Sequence, residues 1–324
     1  MSAEVETMAY VGATPWHGLG NKLEQGASIE EMTKAAGLDW AVSQHPMFVK
    51  IGDEEVAVPN KVAVTRDTDK RILSVSSTGW KPFQNAELME FFRDFVDAGS
   101  ATLETAGSLY DGKTIWALAN INKGFTLKGR DTVNGYVLLS NSHAPGSSIR
   151  AMTTMVRVVC QNTLTMANAR GGATEYRQNH MKDFDMSKAK ETFAFARESV
   201  AVHKMEAEAL SSLQMSAYDT VRTLATFFQP DMAEHASDVK MLLVNPDAQS
   251  PVLAEVLHSV VSAPGAIPEN AWGLLNGVTH YADHVAGRSP AARLTNSTFG
   301  QLAKVKLDVK DYLLQMAGYT GELV

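Results

Sequence analysis

The sequence predicts an α+β fold: a mostly antiparallel, sheet-rich domain with packed helices over residues 1–182, then a helical domain over residues 183–324. Three observations predict it. Between residues 40 and 155, short runs rich in β-branched and aromatic residues are separated by Gly, Pro, Asn and Asp, the pattern of an antiparallel meander. Beyond residue 183 the apolar positions recur at helical spacing. With 324 residues, 45% of them apolar, the chain is long enough for a large core and two domains.

The elements follow in order. Residues 15–20, including Trp16 and His17, form a stiff, turn-rich entry. Ser28, with Glu31 three residues on, makes a capping box that opens a helix toward Ala36, and Gly37 stops it. Residues 40–42, 47–51, 55–58, 61–66 and 71–75 read as strands, with turns at Gly52-Asp53, Pro59-Asn60 and Asp67-Thr68-Asp69. Leu88, Phe91, Phe92, Phe95 and Val96 give residues 85–98 a helical stripe. Strands at 102–109 and 114–119 share the hairpin turn Tyr110-Asp111-Gly112, and strands at 133–140 and 147–155 are joined through residues 141–146. Residues 156–169 are expected to run into a helix that Gly171-Gly172 ends. Helices are then predicted at 186–213, 218–228, 238–243, 251–262, 271–285 and 299–317.

Several function classes are excluded at this stage. No run of 18 apolar residues exists, so no bilayer-spanning helix is expected. The opening residues lack the basic stretch and apolar core of a secretory signal, and a cytoplasmic protein is expected. The single cysteine, Cys160, allows no intrachain disulfide and argues against a zinc ribbon or iron–sulfur cluster. It sits in Val-Val-Cys, where cysteine behaves as a small buried hydrophobe. P-loop, dinucleotide-binding, nucleophile-elbow, zinc-protease and kinase signatures are absent, and no cofactor is expected.

The net charge of −7 is unevenly spread: the balance is −6 over residues 1–100, +5 over 101–182 and −6 over 183–324. Local potential, not total charge, attracts a polyanion, so the middle segment is available for one. Arg150 and Arg157 there suit phosphate contacts, with Asn141, Gln161 and Asn162 as hydrogen-bonding neighbours. Arg170 and Arg177, around Gly171-Gly172, extend the basic segment. Trp80 and Phe83 beside Lys81 are the aromatic-and-cation mix that stacks bases and holds a backbone; the favoured rival reading is that the aromatics seal the sheet core, with Asn85 capping the next helix. His280 and His284 lie four residues apart with Asp283 between them, a spacing that puts two imidazoles on one helix face, as metal ligands are placed.

Four stretches resemble the phage/plasmid-like family built on the domain of unknown function 932. They are Trp16-His17-Gly18-Leu19-Gly20, Gly79-Trp80-Lys81-Pro82-Phe83-Gln84-Asn85, Arg157-Val158-Val159-Cys160-Gln161-Asn162-Thr163-Leu164, and the run from Ala271-Trp272-Gly273 to His284. His17, Gln84, Asn85, Asn141, His143, Gln161 and Asn162 are the polar residues of these stretches and of the loop before Arg150. Ala144 is a departure, since members of that family often carry an acidic residue there. The resemblance implies a mobile-element origin and a bacterial host cytoplasm, and no reaction. In outline the chain is similar to single-strand annealing recombinases, which assemble into rings or filaments and work without ATP.

The function expected is therefore ATP-independent, non-enzymatic binding or annealing of single-stranded DNA in replication or recombination, by a homo-oligomer. Lys81, Arg150, Arg157, Arg170 and Arg177 are expected on phosphates, with Trp80 and Phe83 on bases. The alternatives are a metal-dependent hydrolase using His280, His284, Asp283 or His143, and an interaction protein that binds a host factor.

Overall fold

A computed structural model describes residues 5–12, 20–127, 131–157, 162–164, 175–287, 296–297 and 300–319. It is an α+β structure, its sheets mostly antiparallel and its carboxy-terminal region helical. The strands are β1 Val5–Val11, β2 Asn21–Leu23, β3 Val42–Ile51, β4 Glu54–Arg66, β5 Ile72–Ser77, β6 Thr102–Leu109, β7 Thr114–Leu127, β8 Asp131–Ser142, β9 Ile149–Arg157, β10 Asn162–Leu164 and β11 Glu175–Gln178. The helices are α1 Ile29–Ala35, α2 Asn85–Glu90, α3 Arg93–Asp97, α4 Met186–Ser212, α5 Ala217–Phe228, α6 Ala236–Val244, α7 Pro251–Ser262, α8 Ala271–His280 and α9 Gln301–Met316. A π-helical turn, Tyr281–Val285, continues α8. No helix of the described residues is long and apolar enough to cross a membrane.

One sheet runs β10-β9-β8-β7-β6-β1-β2, with β11 also on β9; β3-β4-β5 form a second. β1 and β2 pair parallel. The chain divides into two compact units that are discontinuous in sequence: Met1–Asn122, Tyr136–Thr153 and Gly172–Ala196 make one, and Lys123–Gly135, Thr154–Gly171 and Arg197–Val324 the other.

In the first unit β7 alternates strictly, burying Ile115, Ala117, Ala119 and Ile121, as a strand with one covered face must. The predicted capping box is present: Ser28 Oγ accepts from Glu31 N–H and Glu31 accepts from Ser28 N–H. The predicted hairpin turn is present too, with positive φ at Tyr110, Asp111 and Gly112. Elsewhere the structure corrects the sequence reading. Residues 85–98 form two short helices rather than one, α2 and α3, with the fully buried Phe91 and Phe92 between them. Pro59-Asn60 does not end a strand. The register passes from Pro46–Val62 to Phe48–Ala57, so Met47 alone faces residues 58–61, and the turn chemistry is absorbed as a bulge with Asn60 at φ 57°.

The helix expected over 156–169 is also corrected. Val156 and Arg157 continue β9, and Asn162–Leu164 pair antiparallel with it as β10; the rest of that range lies outside the described residues. β11, unforeseen in the sequence, pairs with the first half of β9.

The second unit is mostly helical. Ser216, Ser250 and Asn270 cap α5, α7 and α8. Gly277 on α8 lets α7 approach so closely that a Cβ there would meet the Val260 backbone at 2.5 Å. Gly273 is more tightly confined still: a Cβ there would lie 1.7 Å from the Ile267 carbonyl oxygen. The unit also buries ions: Lys306 Nζ bonds Asp283 at 2.8 Å, and Lys310 Nζ bonds Glu206 at 3.0 Å. Burial opposes ionisation of Glu206, but His203 and Lys310 outweigh it and hold its carboxyl below the usual range.

Candidate functional site

Four of the polar residues singled out in the sequence converge in the core of the first unit. Asn85, at the start of α2, donates through Nδ2 to the carbonyls of Leu38 and Trp40 at 3.2 and 3.1 Å. Its Oδ1 is thereby turned toward His143 Nε2, 3.1 Å away. Because Oδ1 only accepts, Nε2 must carry the ring proton, and Nδ1 accepts from Asn141 Nδ2 at 3.4 Å. Asn141 Nδ2 also donates to Phe83 O. The His143 backbone donates to Lys113 O at 2.7 Å, and its carbonyl accepts from Ser74 Oγ at 2.6 Å. Gln84 side-chain atoms take both the N–H and the carbonyl of Val42.

This network ties the segment before β3, the start of α2 and the end of β8 together. Asn85, Asn141 and His143 are all buried. Burial pushes the His143 imidazole down to about 3, with His180 adding to the effect. A neutral ring, bonded at both nitrogens, is a poor general base at neutral pH, so His143 acts here as a structural strut. Asn85 does not cap its helix as expected; the cap position is Gln84, whose N–H donates to Glu87 at 2.7 Å.

Trp80 and Phe83 are buried as well, at 4% and 2% exposure. Trp80 stacks on His180 with ring centroids 4.5 Å apart, and Phe83 packs on Phe184 at the same separation. A base-stacking platform needs an open ring face, and these two rings have none; their packing corrects the stacking expectation. Lys81 is half exposed and paired with Asp183 at 2.7 Å.

β9 and β11 bring two basic candidates together. Their register sets Arg177 directly opposite Arg150. Opposed residues of an antiparallel pair project from the same face with Cβ atoms about 5 Å apart. Arg177 is exposed and donates through Nε to Ser148 Oγ at 3.1 Å; Arg150 is half-buried. Two guanidinium-bearing residues are thereby set side by side on one face of the basic segment. Arg157 ends β9 and Asn162 begins β10, paired with each other. Their side chains, together with His17, Cys160, Gln161 and Arg170, lie outside the described residues.

In the second unit, His280 closes α8 and His284 lies on the π-helical turn, their ring centroids 5.1 Å apart. Burial lowers the pKa of His280, and His284 adds to that. Asp283 points its carboxylate at Lys306. Among the described residues no three His, Cys, Asp or Glu side chains converge as metal ligands. The interior ion pairs missed in the sequence are Lys306 with Asp283 and Lys310 with Glu206, which also meets His203, while Trp272 Nε1 donates to Asp131 at 2.6 Å. The i, i+4 spacing of Lys306 and Lys310 was the one available signal, and on a sequence it reads as a solvated face.

The fold and these clusters define an α+β protein with a polar strut at its sheet core and a paired-arginine strand surface. A family model described as Domain of unknown function (DUF932) matches residues 72–304, and the chain belongs to that family. The match takes in β5 to the first residues of α9 and excludes the Trp16–Gly20 stretch. No match to a curated protein or to a solved structure is found.

Proposed function

We propose that this protein binds single-stranded nucleic acid through its phosphates, without ATP, on the β9–β11 surface, in replication or recombination of a phage- or plasmid-type element. One observation carries the reading: the register that opposes Arg150 and Arg177 on one face, within the stretch 101–182 whose charge balance is +5. Paired guanidinium groups match phosphate oxygens in geometry and charge. Arg157 and Arg170 belong to the same segment, and Lys81, already engaged by Asp183, contributes little. With Trp80 and Phe83 in the core, contact is chiefly to the backbone, which predicts weak dependence on base sequence. The reading includes a homo-oligomer in the cytoplasm of a bacterial host.

Fluorescence anisotropy of a labelled single-stranded oligonucleotide, titrated at several salt concentrations, tests it. Binding that weakens steeply and log-linearly with salt is the expected result. Absence of binding by the folded protein at low salt overturns the reading.

A further inference from the structure

Past the bulge at Met47, β3 and β4 continue as a bare two-stranded ribbon. Phe48 pairs with Ala57, Val49 with Val56, Lys50 with Glu55 and Ile51 with Glu54. Every residue from Phe48 to Ala57 is exposed, and Phe48, at 58%, is the one exposed Phe, Tyr or Trp among the described residues. A lone two-stranded ribbon is at best marginally stable in water, and apolar side chains on such a ribbon favour contact with another chain.

The pairing decides what that chain is. Directly opposed residues project from the same face, so one face carries Phe48 beside Ala57 and, in the next row, Lys50 beside Glu55. Turning a second copy by 180° about the long axis of the ribbon and laying it on this face sets Phe48 over Ala57 of the second copy. It also sets Lys50 over Glu55 of the second copy. By symmetry each contact is made twice. A large side chain meets a small one, and a cation meets an anion. The other face fails the same operation, because Ile51 would lie over Glu54 and no cation would answer the carboxylate.

We propose that the Phe48–Ala57 ribbon is an interface between two copies of this chain, joined through the face that carries Phe48, Lys50, Glu55 and Ala57. The inference stands on charge and size complementarity within the ribbon and does not depend on nucleic-acid binding.

Light scattering of the full chain across the micromolar range tests it. The wild type is expected to be a dimer. Lys50→Glu and Glu55→Lys each set like charges against each other twice, and each is expected to be monomeric. An equimolar mixture of the two variants is expected to dimerise, since every charge then faces its opposite, and the double variant Lys50→Glu/Glu55→Lys is expected to dimerise with itself. Phe48→Asp is expected to be monomeric. A monomeric wild type overturns the proposal, as does a single-charge variant that dimerises like the wild type. A mixture that stays monomeric also overturns it, because misfolding of one variant shows separately in its circular dichroism and the self-pairing double variant replaces the mixture in that case.

Discussion

His143→Gln removes a proton-binding group that the folded protein suppresses. In the native state burial holds the imidazole at about 3, against an ordinary value of 6.5. The unfolded chain therefore takes up a proton below about pH 6.5 that the folded chain refuses, and native stability falls as the pH falls through that window. The contribution is fully present above the unfolded value and is lost progressively toward about pH 3. Each pH unit in between removes about 1.4 kcal/mol, so at about pH 5 the loss from this one group is about 2 kcal/mol. Urea unfolding of the wild type and of His143→Gln at about pH 7.5 and about pH 5 measures it, because carboxylates common to both proteins cancel in the difference. The stability advantage of the wild type over the variant is expected to shrink by about 2 kcal/mol between the two conditions. An advantage that is constant or grows on acidification refutes the neutral, doubly bonded histidine.

Breaking the Lys306–Asp283 pair by Lys306→Ala leaves a nearly buried carboxylate without its ammonium and is expected to cost about 3–5 kcal/mol in chemical denaturation. The apolar double replacement Lys306→Met/Asp283→Leu is expected to recover most of that loss. Gly273→Ala drives a methyl into the Ile267 carbonyl and is expected to destabilise by about 2–3 kcal/mol, read as a lower thermal midpoint. Asn85→Ala strands the Leu38 and Trp40 carbonyls and the His143 Nε2 proton, and is expected to cost about 3 kcal/mol or more in the same assay.

Local chemistry was the legible part of the fold. The Ser28 capping box, the hairpin turn at Tyr110-Asp111-Gly112 and the bounds of β6 follow from short-range preferences that tertiary packing did not override. Where packing ruled, the reading failed. The helix expected over residues 85–98 is interrupted at the two buried rings Phe91 and Phe92, and Pro59-Asn60 is held within β4 because the strands on either side of it stay paired with β3. β11 is four residues of mixed polarity whose only reason to be a strand is the edge of β9.

The site divides in the same way. Gln84, Asn85, Asn141 and His143 were identifiable as a group, but their meeting in the core depends on contacts across dozens of residues. Burial of Trp80 and Phe83 likewise arises from Phe184 and His180, a hundred residues away. Charge counts marked the basic segment. Only strand register, set by backbone pairing, puts Arg150 and Arg177 on one face.

The most direct test of the nucleic-acid account is the salt dependence of single-stranded oligonucleotide binding by the wild type and by Arg150→Ala/Arg177→Ala. Each phosphate contact on a single strand contributes about −0.7 to the slope of log affinity against log salt, so losing two contacts is expected to make the slope shallower by about 1.4. Affinity at low salt is expected to fall with it. Equal slopes and equal affinities for the two proteins would contradict the assignment of the phosphate backbone to the β9–β11 surface.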